Sequence, residues 1–348
     1  MDKIEYVELL KEKLNGLPLQ DIERSIEFYS EMIDDKMEEG LTESEAILAM
    51  PSVDDVATQV IMNVPLTKLV MKTYIVSEEF KNIELDSKDA NVSIKRSDDD
   101  ICKVVCGEND KVYHDVEVKN GVLTIKRNHK EIWFFSIIGL SDLNKMEIYL
   151  PSDNYDSLMV NAKSGSVEIL DNFVFENVEI DSQSGNITIE KIQSKNVTST
   201  LKSGNIRLKD IKSINVHLQT KSGDVTIENA ILDGDVSVSC DSGSVKMSDL
   251  KSDLLTISTK SGIINLSNVL IDNNMTLISQ SGTVKLNACD SETLKITTSS
   301  GSVRGSLRSP KIFITKSKSG NISVPASITG GKCEIETRSG NIKIEIAS

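Results

Sequence analysis

The sequence predicts a mainly β protein in which a small all-α helical domain precedes a single-handed parallel β-solenoid of about ten coils, each nineteen or twenty positions long. Three observations lead to this fold class. A Ser-Gly dipeptide recurs at every nineteenth or twentieth position from Ser164 onward, apolar residues alternate after each dipeptide, and the segment 1–79 differs from the rest in charge and periodicity. So regular a period indicates one structural unit that is copied and stacked, each coil burying a face against its neighbours.

Residues 1–76 are predicted to form an acidic helical bundle. Apolar side chains recur at intervals of three and four between residues 9 and 33, which is typical of amphipathic helices, and a proline divides this stretch into two. Thr42 and Glu45 have the spacing of a capping box and begin a third helix. A fourth helix follows Pro51.

Charge marks the same boundary. Residues 1–79 hold 18 Asp and Glu against 7 Lys and Arg, a net charge of −11 within the −14 of the whole chain. Because binding to phosphates requires clustered Lys and Arg, this acidity argues against a nucleic-acid partner.

The solenoid is predicted in two parts. Residues 77–151 form an irregular β region that begins it, with alternating pairs such as Val92 and Ile94. Residues 152–348 form the regular repeat. Its turns are marked by ten glycines: Gly165, Gly185, Gly204, Gly223, Gly243, Gly262, Gly282, Gly301, Gly320 and Gly340.

Each repeat has the same internal pattern. Residues two and four after the glycine are aliphatic, as in Ile187 and Ile189, the residue seven after it is apolar or small, and a second alternating pair follows. The parity of inward positions changes across each Ser-Gly, so the chain bends there, and glycine permits the backbone angles of the bend. A binding role for the Ser-Gly row is therefore not needed to explain it.

Two places depart from the pattern. After Gly301 the next apolar pair, Ile312 and Ile314, is displaced by one residue, which predicts a distorted coil and a favourable place for function. The last strand, residues 340–346, is predicted to leave an open edge that Lys343 only partly protects. End-to-end self-association is therefore expected to be possible.

Two family resemblances accompany these patterns. The first seventy or so residues resemble the bacterial HAAS signalling domain, a small helical module, through Tyr6, Leu10, Leu17-Pro18, Tyr29-Ser30-Glu31, Gly40, Glu43 and Val56-Ala57. From Phe80 onward the chain resembles the β-strand-repeat family labelled "putative adhesin", through Ala90-Asn91-Val92-Ser93-Ile94 and the ten repeats. The second resemblance implies an architecture and carries no reaction, ligand or catalytic residue.

No catalytic constellation is recognisable, so the protein is predicted not to be an enzyme and to use no cofactor or metal. Its three histidines are scattered without the spacing of metal ligands. One alternative stays open, a polysaccharide-cleaving β-helix enzyme that uses surface carboxylates together with Arg304 or Arg308.

A strongly apolar stretch, residues 132–140, follows the basic residues 126–130. It is interpreted as a cap on the end of the solenoid, and the alternative is a peripheral membrane sensor that docks through this stretch. The candidate interaction residues are accordingly Trp133, Phe134, Phe135, Ile137, Ile138 and Leu140, with Arg304 and Arg308 of the distorted coil.

The favoured function is that of a non-enzymatic protein-interaction or scaffold protein, either adhesin-like or part of a bacterial signalling or envelope-stress system. The helical domain would recruit a protein partner that the sequence does not identify. Because no run of eighteen apolar residues and no signal-peptide core occurs, and the five cysteines are an odd number, the predicted location is cytoplasmic, with membrane association only through a partner.

Overall fold

A computed structural model describes residues 1–15, 17, 19–63, 69–130 and 142–347. These residues belong to two compact units. The first comprises Met1–Lys72, Cys106–His114 and Asn128–Lys145, and the second comprises Thr73–Val105, Asp115–Arg127 and Met146–Ser348.

Four helices lie at the start of the chain: α1 (Lys3–Lys13), α2 (Leu19–Glu38), α3 (Glu43–Leu48) and α4 (Val53–Asn63). The capping box of α3 is confirmed, since Thr42 Oγ1 accepts a hydrogen bond from the Glu45 amide at 3.4 Å and Glu45 Oε2 accepts one from the Thr42 amide at 2.9 Å. Helix α4 is capped in a similar way, with Ser52 Oγ accepting from the Asp55 amide at 3.1 Å.

The helices enclose a small core of their own. Tyr6 is fully buried in it, donates its hydroxyl proton to the Pro51 carbonyl at 2.8 Å, and has its pKa raised to about 12 by burial. Leu9 is exposed. The other buried members of the core are Leu10, Leu14, Ile22, Tyr29, Ile33, Ala46, Ile47, Met50, Val56, Ala57 and Val60.

Twenty-four strands follow in the described residues. The irregular β region holds β1 (Val70–Val76), β2 (Asn82–Lys88), β3 (Asn91–Arg96), β4 (Cys102–Glu108), β5 (Val112–Lys119), β6 (Val122–His129) and β7 (Lys145–Leu150). The repeats hold β8 (Asn154–Ala162), β9 (Val167–Ile169), β10 (Val174–Ser184), β11 (Ile187–Glu190), β12 (Gln193–Ser203), β13 (Ile206–Ser222), β14 (Val225–Leu232), β15 (Asp235–Ser242), β16 (Val245–Ser252), β17 (Leu254–Ser261), β18 (Ile264–Ser281), β19 (Val284–Thr298), β20 (Val303–Leu307), β21 (Lys311–Ser319), β22 (Ile322–Ser323), β23 (Gly331–Ser339) and β24 (Ile342–Ile346).

The repeats form a parallel β-solenoid of about ten coils, as predicted. Strand β13 runs through the three segments of one coil. Its residues 206–209 pair with β11 and β14, and its residues 211–213 pair with β14. Its residues 215–222 pair with β12 and β15. All of these pairings are parallel and join residues one coil apart. The solenoid therefore has three stacks of strands, which we call the first, second and third stacks in chain order.

The predicted inward positions are buried. Val225 and Ile227, two and four residues after Gly223, are fully buried, and the following corner residue, Ala230, is buried as well. The aliphatic residues at the first two of these positions are also buried in the coils that begin at Gly165, Gly185, Gly204, Gly243, Gly262 and Gly282, which places a continuous apolar core between the three stacks, whereas Ile322 after Gly320 is 44% exposed.

The glycine row has a second structural role that the sequence pattern did not reveal. A Cβ atom on Gly185 would overlap the Gly165 carbonyl, and each later glycine up to Gly301 stands in the same relation to the glycine one coil before it. Gly262, Gly282 and Gly301 have no positive φ, so the close approach of the coils alone requires glycine there.

The strands at the start of the solenoid are interleaved. Strand β2 pairs with β8 on one side and with β6 on the other, and β3 pairs with β9 and β7 in the same way. The chain therefore places its second and third strands inside the stack, with later strands on both sides of them.

The other end is interleaved too, and the open edge predicted at residues 340–346 is covered in part, because β22 pairs with Ile342 and Lys343 only. Strand β24 lies between β20 and β22, and β23 lies between β19 and β21. The chain runs outward through β21 and β22 and then inserts its last two strands behind them. Within the described residues, β21 and β22 are the outermost strands of this end.

The core-facing pair predicted at Ile312 and Ile314 also needs correction. Their neighbours Phe313 and Thr315 align with the buried Cys333 and Ile335, so the two isoleucines face outward, 43% and 54% exposed. Phe313 and Thr315 stand twelve and fourteen residues after Gly301, which are the inward positions of the other nineteen-residue coils, so the third stack keeps its usual register here. The irregularity of this coil is in the preceding corner, where the pairing of β20 with β19 shifts by one residue.

Candidate interaction surfaces of the solenoid

The apolar stretch that the sequence singles out lies outside the described residues, so Trp133, Phe134, Phe135, Ile137, Ile138 and Leu140 stay predictions. Its basic border, residues 126–130, is described, and one of these residues is buried. Arg127 is fully buried and donates from Nε to Asp89 Oδ1 at 3.0 Å. This arginine therefore has a structural role in the solenoid and is not part of an exposed basic surface.

Arg308 is engaged at a corner of the distorted coil. Its Nε donates to the Ala288 carbonyl at 3.0 Å, and its Nη2 donates to Asn268 Oδ1. Asn268 in turn donates from Nδ2 to Asp249 Oδ1 at 2.6 Å. Arg308 thus extends a ladder of side-chain hydrogen bonds past Ala288, whose methyl group cannot take part.

A second ladder follows the corner before the third stack. Asn196 donates from Nδ2 to Asn177 Oδ1 at 2.8 Å, and Asn215 donates to Asn196 Oδ1 at 2.9 Å. The corner asparagines therefore hold neighbouring coils together. Their repetition is explained without a ligand.

Arg304 lies in a different setting, on the outward face of the first stack. In register across adjacent strands this face carries Lys246 on β16, Asn265 on β18, Lys285 on β19, Arg304 on β20 and Lys343 on β24. We call Lys246, Lys285, Arg304 and Lys343 the basic row. Sequence reasoning identified Arg304 and missed Lys246, Lys285 and Lys343. Lys343 joins the row only through the interleaving of β24, which the sequence does not reveal.

The charges of the basic row are balanced only at its ends. Lys343 Nζ lies 2.9 Å from Glu345 Oε1, and Lys246 Nζ lies 3.9 Å from Glu228 Oε1. In the part of the chain that the structure describes, no carboxylate lies within ion-pair distance of Lys285 or Arg304. These two residues form a positive centre on a protein with a net charge of −14.

A cleft of about 780 Å³ lies at the start of the solenoid unit. Phe80 and Tyr155, whose rings stack at 5.7 Å, form part of its apolar lining, and Glu78 and Asp100 contribute carboxylates. The sequence signal for this cleft consisted only of the aromatic residues at positions 80 and 155. Only the fold shows that they meet.

The five cysteines are buried, and Cys102, Cys240, Cys289 and Cys333 are free thiols. Burial raises the pKa of Cys102 and of Cys333 from 9.0 to about 12, and that of Cys240 to about 11. Because the thiolate is the reactive form, these three thiols are poor nucleophiles and poor metal ligands at neutral pH. Among the described residues, no three His, Cys, Asp or Glu side chains are grouped so that they could hold a metal ion.

The fold and these surfaces define a repeat protein of the parallel β-solenoid class. The Toastrack DUF4097 family model matches residues 80–239 and again residues 232–348. The chain therefore belongs to the Toastrack DUF4097 family. The match begins at residue 80, and the resemblance of the preceding residues to the HAAS domain stays a prediction.

Several solved structures have a similar fold. A "putative adhesin" from Bacteroides fragilis is 15% identical, with 80% of this chain and 97% of that chain covered and a TM-score of 0.44. A "putative lipid binding protein" from Parabacteroides distasonis is 20% identical, with 67% and 96% covered and a TM-score of 0.47. A "putative adhesin" from Parabacteroides merdae is 14% identical, with 80% and 96% covered and a TM-score of 0.41.

No curated protein matches the chain. In the described residues, no helix is both long enough and apolar enough to cross a membrane.

Proposed function

We propose that this protein is a non-enzymatic scaffold of a bacterial signalling or envelope-stress system, in which the solenoid presents a rigid surface and the helical part recruits a protein partner. The observation that carries the proposal is the register of the stack. The outward residue Glu179, for example, aligns with Met159 on one side and with Thr198 on the other. Outward side chains are therefore held in straight rows, one residue per coil, as a binding surface requires.

The surface of the helical part supports the recruiting role. The net charge of −11 lies within the segment 1–79, and two aliphatic side chains project from it, Leu48 on α3 at 85% exposure and Ile4 on α1 at 71%. Apolar groups set in a charged surface are suited to a transient protein interface.

The proposed location is the cytoplasm. Cys102, Cys240, Cys289 and Cys333 are free thiols, and a reducing compartment keeps thiols in that state. A buried free thiol is also common in cytoplasmic proteins because it packs as a small apolar group.

The recruiting role can be tested with the full-length protein. We would compare retention of lysate proteins by the wild type, by an Ile4→Ser/Leu48→Ser variant and by a control variant, Ile214→Ser/Ile231→Ser, that changes exposed isoleucines of the solenoid. Substitutions at such exposed sites change the free energy of unfolding by about 0.5 kcal/mol or less. We expect one protein to be retained by the wild type and the control and at least about tenfold less by the Ile4/Leu48 variant.

The retained protein would then be purified and mixed with this chain, and the complex measured by size-exclusion chromatography with light scattering. Failure to form a complex, or equal retention by all three proteins, would show that the helical surface does not recruit a partner.

The arginines give the polysaccharide-cleaving alternative no support. Arg308 is hydrogen-bonded into the corner ladder, and the residues in register with Arg304 are Lys285 and Lys343. A cleaving enzyme of this kind would need carboxylates beside the arginine.

A specific observation favours one further property, self-association of the solenoid through β21. Its inner side pairs with β23, and no strand of the described residues pairs with its outer side. With Ile312 and Ile314 exposed on it, this edge offers unpaired backbone groups together with apolar surface, which is what a second copy needs to add its own strand.

A further inference from the structure

We propose that the basic row binds a linear acidic polysaccharide, which lies along the solenoid axis with its carboxylates against Lys285 and Arg304. This inference rests on the proposed role of the solenoid as a binding surface and names the ligand class of one face. It does not depend on the partner of the helical part.

The first argument is that folding does not account for this arrangement of charge. Like charges on adjacent strands destabilise a sheet, and Lys285, Arg304 and Lys343 occupy three adjacent strands in register. Elsewhere on the same face the fold balances its cations, as where Arg207 Nη2 lies 2.8 Å from Glu228 Oε2. The unbalanced centre at Lys285 and Arg304 is thus a departure from the pattern of the face, and an anionic ligand would balance it.

The second argument is the direction and spacing of the row. Adjacent strands lie about 4.8 Å apart, so the row runs along the solenoid axis with one position for each such step. That step is close to the length of one pyranose residue in an extended chain. A polymer with one carboxylate on each sugar would therefore carry about one negative charge for each step of the row along the solenoid axis.

The third argument is the composition beside the row. Beside Lys285 and Arg304 the neighbouring outward positions carry hydroxyl and amide groups, Thr283 and Ser302 on one side and Asn287 on the other, while Glu345 lies beside Lys343. Such groups exchange hydrogen bonds with sugar hydroxyls. No aromatic residue occupies the described outward positions of β18, β19, β20 or β24, so neither bases nor sugar rings stack here, and binding rests on the charged, hydroxyl and amide groups.

The test uses the full-length protein and isothermal titration calorimetry with polygalacturonate. Highly methyl-esterified polygalacturonate is the matched ligand control, since it keeps the backbone and removes the charge. The test variant is Lys285→Gln/Arg304→Gln. Its protein control is Lys202→Gln/Lys212→Gln, which removes two exposed lysine charges from the other two stacks.

We expect the wild type and the control variant to bind polygalacturonate with affinities within about twofold of each other, and the Lys285/Arg304 variant to bind at least about tenfold more weakly. Esterification should abolish binding. Circular dichroism melting curves verify that all variants are folded, which is expected because none of the changed side chains is buried.

Three results would overturn the proposal: no binding by the wild type, equal loss in both variants, or equal binding of inorganic polyphosphate, which would show a response to charge without selection for the sugar chain. None of these results affects the partner retained through Ile4 and Leu48. The two proposals therefore fail independently.

Discussion

Gly282 illustrates why one residue type is repeated so strictly in this chain. Its φ is not positive, so the conformational freedom of glycine is not what the position requires. A Cβ atom there would overlap the carbonyl of Gly262 in the preceding coil. Backbone cannot move aside as a flexible side chain can, so the absence of a side chain sets the distance between coils.

Replacing Gly282 by alanine should therefore cost about 3 kcal/mol of the free energy of unfolding, the upper part of the usual range for overpacking. The matched change is Gly121→Ala, where φ is +76° and no atom lies within 4 Å of the added Cβ. That change should cost about 1 kcal/mol, from backbone strain alone. Urea denaturation measures both, and equal losses would contradict the stacking explanation.

Two buried cations show where residue-level prediction failed. Arg127 belongs to a basic run in the sequence, yet it is buried against Asp89. Lys311 is also buried, with Nζ 2.6 Å from Asp290 Oδ1 and 2.6 Å from the Ser291 carbonyl. Local sequence places both residues among polar neighbours. Burial of each cation is possible only because a carboxylate pairs with it. Asp89 is distant in the chain from Arg127, and Asp290 lies one coil before Lys311.

At the scale of the element, the coil corners are held by side chains as well as by backbone. Asn196 both donates to Asn177 and accepts from Asn215, while Asn177 takes part in one of these bonds. Periodicity predicted the corners and the strands between them. It did not predict the ladders, because a hydrogen bond between asparagines of neighbouring coils depends on the exact alignment of the two coils.

We expect Asn196→Ala to lower the free energy of unfolding by about 2 kcal/mol and Asn177→Ala by about 1 kcal/mol, because the first removes two side-chain hydrogen bonds and the second removes one. Thermal and urea unfolding of the two variants provide the measurement. Similar losses in both would indicate that the amides are solvated independently and do not act as a ladder.

At the scale of the molecule, the interleaved ends decide which surfaces are open. Gly320 and Gly340 continue the period of the repeat without interruption. In space, however, Gly340 stacks on Gly301, and Gly320 stacks on Gly340. The last repeat in the chain is therefore not the last coil of the solenoid, and the exposed edge is β21.

Self-association through that edge leads to a defined expectation. Ile314→Lys places a charge on the open strand, so it should abolish any concentration-dependent rise in mass. The control Ile231→Lys changes an isoleucine of similar exposure, 49% against 54%, on β14, which is paired on both sides. Size-exclusion chromatography with light scattering should show the loss for Ile314→Lys alone. A wild-type protein that stays monomeric at every concentration would contradict association through β21.

The repeat period and the alternation within it were sufficient to predict the parallel solenoid and the inward residues of its regular coils, and the three- and four-residue spacing of apolar side chains predicted the helices before it. These features depend on local spacing, and the stacking of identical units repeats whatever one unit specifies. Tertiary structure alone decided the order of the terminal strands, the burial of Arg127 and the assembly of the basic row around Arg304. Each of these depends on which strands become neighbours, and a uniform period is compatible with more than one spatial order of its repeats.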